Sequence, residues 1–256
     1  RSKKVPAMND GATSDVAKGD GDAEPCISVI MPVFDERATI EAAIRATLAQ
    51  PLVREVIVVD DGSRDGSGEL LGALAAEFPN VRLMRHERNR GKGAALRTGI
   101  REATAPIVLF QDADLEYDPQ GYAALVGPIL SGKADAVYGS RFLGTGPHRV
   151  LYFWHRVGNA VVTLFSNVCT NINLTDMETG HKAFRREIIQ GLKITEDRFG
   201  VEPEITARLA RVPGIRLYEV AVTYYGRTYE EGKKITWRDG VAALWCIAKY
   251  NWFVRD

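Results

Sequence analysis

Short apolar runs that break off into acidic or glycine-containing loops most constrain what this chain can fold into. Ile107–Phe110 leads straight into Gln111-Asp112-Ala113-Asp114-Leu115-Glu116. Cys26–Val33 is stopped by Pro32 and followed by Phe34-Asp35-Glu36, and Val56–Val59 ends in Asp60-Asp61-Gly62-Ser63. Val81–Met84 and Ala134–Tyr138 are further runs, the second leading to Gly139-Ser140-Arg141. Between them lie helical spacings: Ile40, Ile44 and Leu48; Leu70, Leu71, Leu74 and Phe78; Ala94–Ala103; and a stretch within Pro119–Leu130. Strands alternating with helices predict an α/β fold around a mostly parallel sheet. Ligands of such sheets bind beyond the carboxyl ends of the strands.

The acidic loop after Ile107–Phe110 carries the most chemistry. Residues two apart on an extended segment point the same way, so Asp112, Asp114 and Glu116 can converge on one cation. Carboxylate oxygens suit Mg²⁺ or Mn²⁺, which commonly hold phosphate oxygens as well. An isolated Asp-x-Asp is more often a solvated loop, so the neighbouring loops have to carry the case.

The chain has 256 residues, with 33 Lys+Arg and 33 Asp+Glu, a balance that argues against a nucleic-acid binder and makes any anion site local. Three widely spaced cysteines predict a reducing compartment and neither a zinc site nor a disulfide framework. No apolar run reaches the roughly 18 residues of a membrane span, and no signal peptide is visible. The expected location is the cytoplasm, any membrane contact being peripheral and on its inner face.

Residues 1–25 read as a disordered tail with little to bury. Residues 26–256 read as one domain whose texture changes from about Val150. In the second part, Val150–Thr170 predicts a long helix, residues 202–212 another, Ile215–Val222 a strand and Trp237–Tyr250 a last helix. His148, His155 and His181 share no metal-ligand spacing.

Several familiar motifs fail. Asp61–Gly66 begins like a calcium loop, but Gly72 stands where a bidentate Glu is needed. Gly91-Lys92-Gly93 begins like a dinucleotide fingerprint, but Leu96 replaces the third glycine. Taken together, Pro32-Val33-Phe34-Asp35-Glu36, the Val58–Gly66 stretch, Asn89–Gly99, Gln111–Pro119, Gly139–Phe142, Asp176–Arg185 and the late Arg227–Ile235 run tell a different story. In that order they resemble the family 2 glycosyltransferases of GT-A (Rossmann-like) fold, in particular the polyprenyl-phosphate (dolichyl-phosphate mannose and glucose) synthase group. The resemblance covers roughly residues 27–250 and implies a single catalytic domain over 26–256, with 26–145 binding the nucleotide sugar and 146–256 the acceptor.

The resemblance implies roles position by position. Pro32, Phe34, Glu36 and Ala113 would border the nucleotide, with Asp60 or Asp61 reaching its base or ribose. Asp112, Asp114 and Glu116 would hold Mg²⁺ or Mn²⁺ against the donor diphosphate; some relatives carry glutamine where this chain has Glu116. Arg141 and Arg156 would contact the acceptor phosphate, and Arg227 with Lys233 or Lys234 would lie on a loop closing over the diphosphate.

The implied activity is inverting, metal-dependent transfer of a hexose from a nucleotide sugar, UDP-glucose first and GDP-mannose second, to a polyprenyl phosphate. A saccharide hydroxyl acceptor would instead need a carboxylate base, for which Asp176, Glu178, Glu202 and Glu204 are candidates. A nucleotide-sugar-binding module without turnover is the non-enzymatic alternative. The aromatic stretch Tyr152–Val168 and the terminal helix with Trp237, Trp245, Tyr250 and Trp252 are candidates for lying on a bilayer surface. Packing on the sheet or on another subunit of a homo-oligomer is the other expectation for these faces.

Overall fold

The computed structural model describes residues 24–144, 149–150, 152–228, 230 and 237–254. All but the last two residues of the expected tail, and Lys233 and Lys234, lie outside them.

The strands are β1 (Ile27–Val33), β2 (Val53–Asp60), β3 (Val81–Arg85), β4 (Ile107–Phe110), β5 (Ala136–Ser140), β6 (Lys182–Arg185) and β7 (Leu217–Ala221). The helices are α1 (Ile40–Leu48), α2 (Ser67–Glu77), α3 (Lys92–Glu102), α4 (Tyr122–Leu130), α5 (Phe153–Thr170), α6 (Arg186–Gly191), α7 (Val201–Leu209) and α8 (Trp237–Ala248). One seven-stranded sheet runs β3-β2-β1-β4-β6-β5-β7. Every neighbouring pair is parallel except those of β6, which runs antiparallel to both β4 and β5.

Alternation along the strands builds two cores. Val29, Met31, Val56, Val58 and Leu109 face α1, α2 and α4. Ile30, Ile57, Val59, Val108 and Phe110 face α3, α5, α7 and α8. Strands covered on both faces read as continuous apolar runs, which is why β1 and β4 were legible. β2 starts three residues before the apolar run, because Glu55 is buried in the strand and accepts hydrogen bonds from Ser28 Oγ (2.6 Å) and Thr104 Oγ1 (2.7 Å).

Sequence periodicity misses β6 and α6 altogether. A four-residue strand beginning with lysine carries no apolar pattern, yet Lys182 is fully buried. Its ammonium donates to the carbonyls of Met177 and Thr179 and lies 4.6 Å from the Tyr138 ring centre, so the charge is solvated internally. Chain order reverses at β1, which has β2 on one side and β4 on the other. The crevice beyond the ends of β1, β2 and β4 is therefore the switch point where such sheets place ligands.

Candidate active site

At the end of β1, Pro32, Phe34 and Glu36 are all partly open at the crevice. Between Phe34 and Glu36, Asp35 takes a positive φ of 52°. At the end of β2 the two aspartates are both buried. Asp60 Oδ1 accepts from Ser63 N at 3.0 Å. Asp61 accepts from Gly91 N (2.7 Å) and Arg90 N (3.0 Å), and pairs with His86 Nδ1 at 2.6 Å. Asp61 thus pins the turn before α3. Gly91 is required there: its φ is 101°, and a Cβ would collide with the Asp197 carbonyl. In this state the Asp61 carboxylate is engaged by the chain itself.

The acidic turn after β4 follows the expected alternation. Ala113 turns into the core, while Asp112 and Asp114 remain partly open on the opposite side. Asp112 is held by Lys92 Nζ, at 2.9 Å from Oδ1 and 3.2 Å from Oδ2. Lys92 also reaches Glu202 Oε1 at 3.1 Å. Burial opposes the lysine's charge, but these carboxylates outweigh it and raise its pKa above the ordinary lysine range. Gly180 backs onto Asp112 so closely that a Cβ would overlap Oδ2.

Asp114 and Glu116 meet a different cation. Arg227 Nη2 donates to Asp114 Oδ2 at 3.1 Å, and its guanidinium lies 3.3 Å from Glu36 Oε2 and 3.5 Å from Glu116 Oε1. Glu116 also accepts from Arg227 N (2.8 Å) and from the Tyr224 hydroxyl (2.6 Å). Burial, followed by the charges of Asp112 and Glu116, pushes Asp114 up to about 7. Among the described residues no three His, Cys, Asp or Glu side chains cage an ion unaided. The expected Asp112–Asp114–Glu116 set is shared here by two cations of the chain, Lys92 on Asp112 and Arg227 on Asp114 and Glu116. The residues still fit Mg²⁺ or Mn²⁺ in the way such ions bind diphosphates, with one or two carboxylates and the remaining positions on phosphate and water. The crowding that favours a proton on Asp114 equally favours a cation.

Arg141, at the end of β5, is clamped by the buried Asp176 through Nε–Oδ2 (2.6 Å) and Nη2–Oδ1 (2.7 Å). Asn159 of α5 accepts from the same Nη2 at 3.2 Å. Tyr224 and Phe142 lie against the guanidinium, with ring centres 5.3 and 5.6 Å away. Arg156 is exposed on α5, 4.7 Å from the centre of that Phe142 ring. The Phe142 ring therefore lies near both arginines.

The four carboxylates named as possible bases divide in two. Asp176 is consumed by Arg141, and Glu204 accepts from Thr195 N, Glu196 N and Arg208. Among the described residues, Glu178 and Glu202 each keep one buried oxygen without a partner. Burial, and then the Glu202 charge, pushes Glu178 up to about 8, while burial lowers Lys182 to about 8. Sequence reasoning assigned no role to Lys92, Gly180 or Tyr224. Only the lysine between two glycines at a helix start offered a signal.

The family described as Glycosyl transferase family 2 matches residues 28–192, more than half of the chain. Protein MJ1222 of Methanocaldococcus jannaschii is 32% identical over 203 residues, covering 77% of this chain and 80% of that protein. An undecaprenyl-phosphate mannosyltransferase of Micrococcus luteus is 27% identical over 213 residues, covering 81% of this chain and 86% of the relative. Other relatives are longer, and the chain spans 33% to 63% of their length. Glucosyl-3-phosphoglycerate synthase of Mycobacterium tuberculosis, crystallised with Mn²⁺, UDP and phosphoglyceric acid, superposes with a TM-score of 0.68. That match covers 91% of this chain and 80% of the synthase at 23% identity, a likeness of fold.

Proposed function

This chain belongs to glycosyl transferase family 2, and from that premise we propose that it moves one hexose from a nucleotide sugar to a polyprenyl phosphate, with inversion and with a divalent cation. The observation that carries the acceptor assignment is the Arg141 clamp. A buried carboxylate fixes the guanidinium, no described residue takes its Nη1, and Arg156 stands across the Phe142 ring. Planar, preoriented guanidinium groups suit phosphate recognition.

A phosphate acceptor is already anionic at neutral pH, so positioning replaces base catalysis. Pro32, Phe34 and Glu36 border the nucleotide side, and Asp112 and Asp114 face the diphosphate. Mg²⁺ or Mn²⁺, when bound, neutralises charge developing on the leaving diphosphate. Arg227 adds a second positive charge beside Asp114, and Lys92 holds Asp112 in place. Attack in line with the departing diphosphate inverts the sugar carbon. UDP-glucose is the first donor to test. GDP-mannose runs beside it, since the Micrococcus relative is named a mannosyltransferase.

A lipid acceptor brings the enzyme to a bilayer. No described helix is long and apolar enough to cross a membrane. The outer face of α5 nevertheless exposes Phe153, Trp154 (76%), Val161, Leu164 and Val168, and α5 has no acidic residue. Trp245 (61%) of α8 stands beside an apolar groove of about 530 Å³ between the two helices. Such a face suits the interfacial layer of an anionic membrane.

The test is transfer of labelled sugar to undecaprenyl or dolichyl phosphate from each donor, with Mg²⁺ or Mn²⁺ and with EDTA. Metal-dependent labelling of lipid from one donor is the expected result. Donor binding without labelled lipid would overturn the acceptor. The unpartnered oxygens of Glu178 and Glu202 support one second reading, a saccharide hydroxyl acceptor with Glu202 as base. Loss of transfer in Glu202→Gln with Arg141→Ala tolerated would favour it.

A further inference from the structure

We propose that Tyr224 is a positioning residue that joins the cation end of the site to the acceptor-anion end; the inference rests on the reading above. Two parts of one side chain act separately. The hydroxyl donates to Glu116 Oε2 at 2.6 Å. The ring lies against the Arg141 guanidinium, 5.3 Å from its centre. Among the described residues no other side chain touches both groups.

The ring is anchored on several sides. It packs on Tyr117 at 5.1 Å between centroids, and an antiparallel bridge joins the backbones of Tyr117 and Tyr224. Tyr225 N donates to the Glu116 carbonyl at 2.8 Å. Tyr117 in turn accepts from Gly180 N at 3.1 Å, and Gly180 is the residue packed against Asp112. The Tyr224 phenol therefore stands on the scaffold that supports the acidic turn.

Glu116 is oriented by two donors, the Tyr224 hydroxyl on Oε2 and Arg227 N on Oε1. A carboxylate offers about four lone-pair sites, so both oxygens keep capacity for a cation or its water while the plane of the group is fixed. Arg141 is fixed along its edge by Asp176 and across its face by Tyr224. Loss of the hydroxyl frees Glu116 alone, whereas loss of the ring frees Arg141 as well.

Two variants separate these roles. Tyr224→Phe keeps the ring and deletes the hydroxyl; Tyr224→Leu deletes both. Mn²⁺ affinity is read by electron paramagnetic resonance with UDP or GDP present, and acceptor KM is read in the transfer assay. Tyr224→Phe should weaken Mn²⁺ about tenfold, as loss of a partner behind a metal-facing carboxylate does, and leave acceptor KM unchanged. Tyr224→Leu should show the same Mn²⁺ loss and also raise acceptor KM roughly three- to tenfold. Wild-type Mn²⁺ affinity in Tyr224→Phe, alongside weakened Mn²⁺ in Glu116→Gln, would overturn the hydroxyl's role. An equal rise of acceptor KM in both variants would overturn the ring's. If the wild-type protein binds no Mn²⁺ with either nucleotide, the metal reading itself falls, and this inference with it.

Discussion

Replacing Gly180 with alanine should disable the site while leaving the fold standing. The backbone there does not require glycine, since Gly180 lacks the positive φ seen at Gly91. The added Cβ would overlap Asp112 Oδ2 and lie 3.3 Å from Lys92 Nζ. To regain ordinary contact the carboxylate has to retreat by about 1 Å, which breaks its alignment with Lys92 and with anything bound at Asp114. A displacement of that size costs roughly a hundredfold in rate, and Mn²⁺ affinity in the presence of nucleotide should fall about tenfold or more. Stability should change little: stiffening the unfolded chain offsets about 0.4–1 kcal/mol, and Lys92 keeps Glu202. Gly127→Ala, in α4 with open space around its Cβ, is the control and should be neutral or slightly stabilising. Mn²⁺ titration, labelled-sugar transfer and thermal unfolding of the three proteins decide the matter. A folded Gly180→Ala enzyme with wild-type metal affinity and rate would refute the steric reasoning.

Asp176→Asn leaves the Arg141 charge without its buried partner and should cost about 3 kcal/mol in urea unfolding, with a higher acceptor KM; a loss below about 1 kcal/mol would contradict the clamp. Glu55 predicts a pH dependence. Burial alone would raise its pKa, but hydrogen bonds from Ser28, Thr104 and Arg82 prevail and hold it at about 2, below the ordinary 4.5. Its stabilising contribution is therefore complete above about pH 4.5 and is lost as the pH falls through about 2. The stability gap between wild type and Glu55→Gln should shrink between pH 5 and pH 2.5, and a constant gap would disprove this. Trp154→Ser with Trp245→Ser should reduce co-sedimentation with anionic liposomes while leaving turnover of a short, soluble prenyl phosphate intact. Unchanged co-sedimentation would remove α5 and α8 from the membrane-facing surface.

Strands buried on both faces announce themselves, so β1, β2 and β4 and the loops they carry could be placed from the sequence. The acidic turn was legible for the same reason: its period of two puts Ala113 inside and the aspartates outside. What remained hidden depends on pairing between distant segments. Lys182 reads as a surface residue until Met177 O and Thr179 O are brought to its ammonium. The backbone donors that Arg90 and Gly91 present to Asp61 are likewise invisible to local spacing. Tyr224 lies 108 residues from its carboxylate partner, and no local spacing encodes that meeting.

The antiparallel β6 also governs how the polypeptide can be divided. It comes from the later part of the chain, yet it is the strip that seals β4 to β5. A polypeptide ending near residue 145 would strip β4 of one neighbour and β5 of both, leaving raw strand edges, the kind of surface that recruits other chains and aggregates. Folding has to await residue 185 before the sheet can close, and this long-range pairing is slow. The two parts of the chain can therefore be probed separately by mutation, but proteases or truncations cannot cut them apart into two folded pieces.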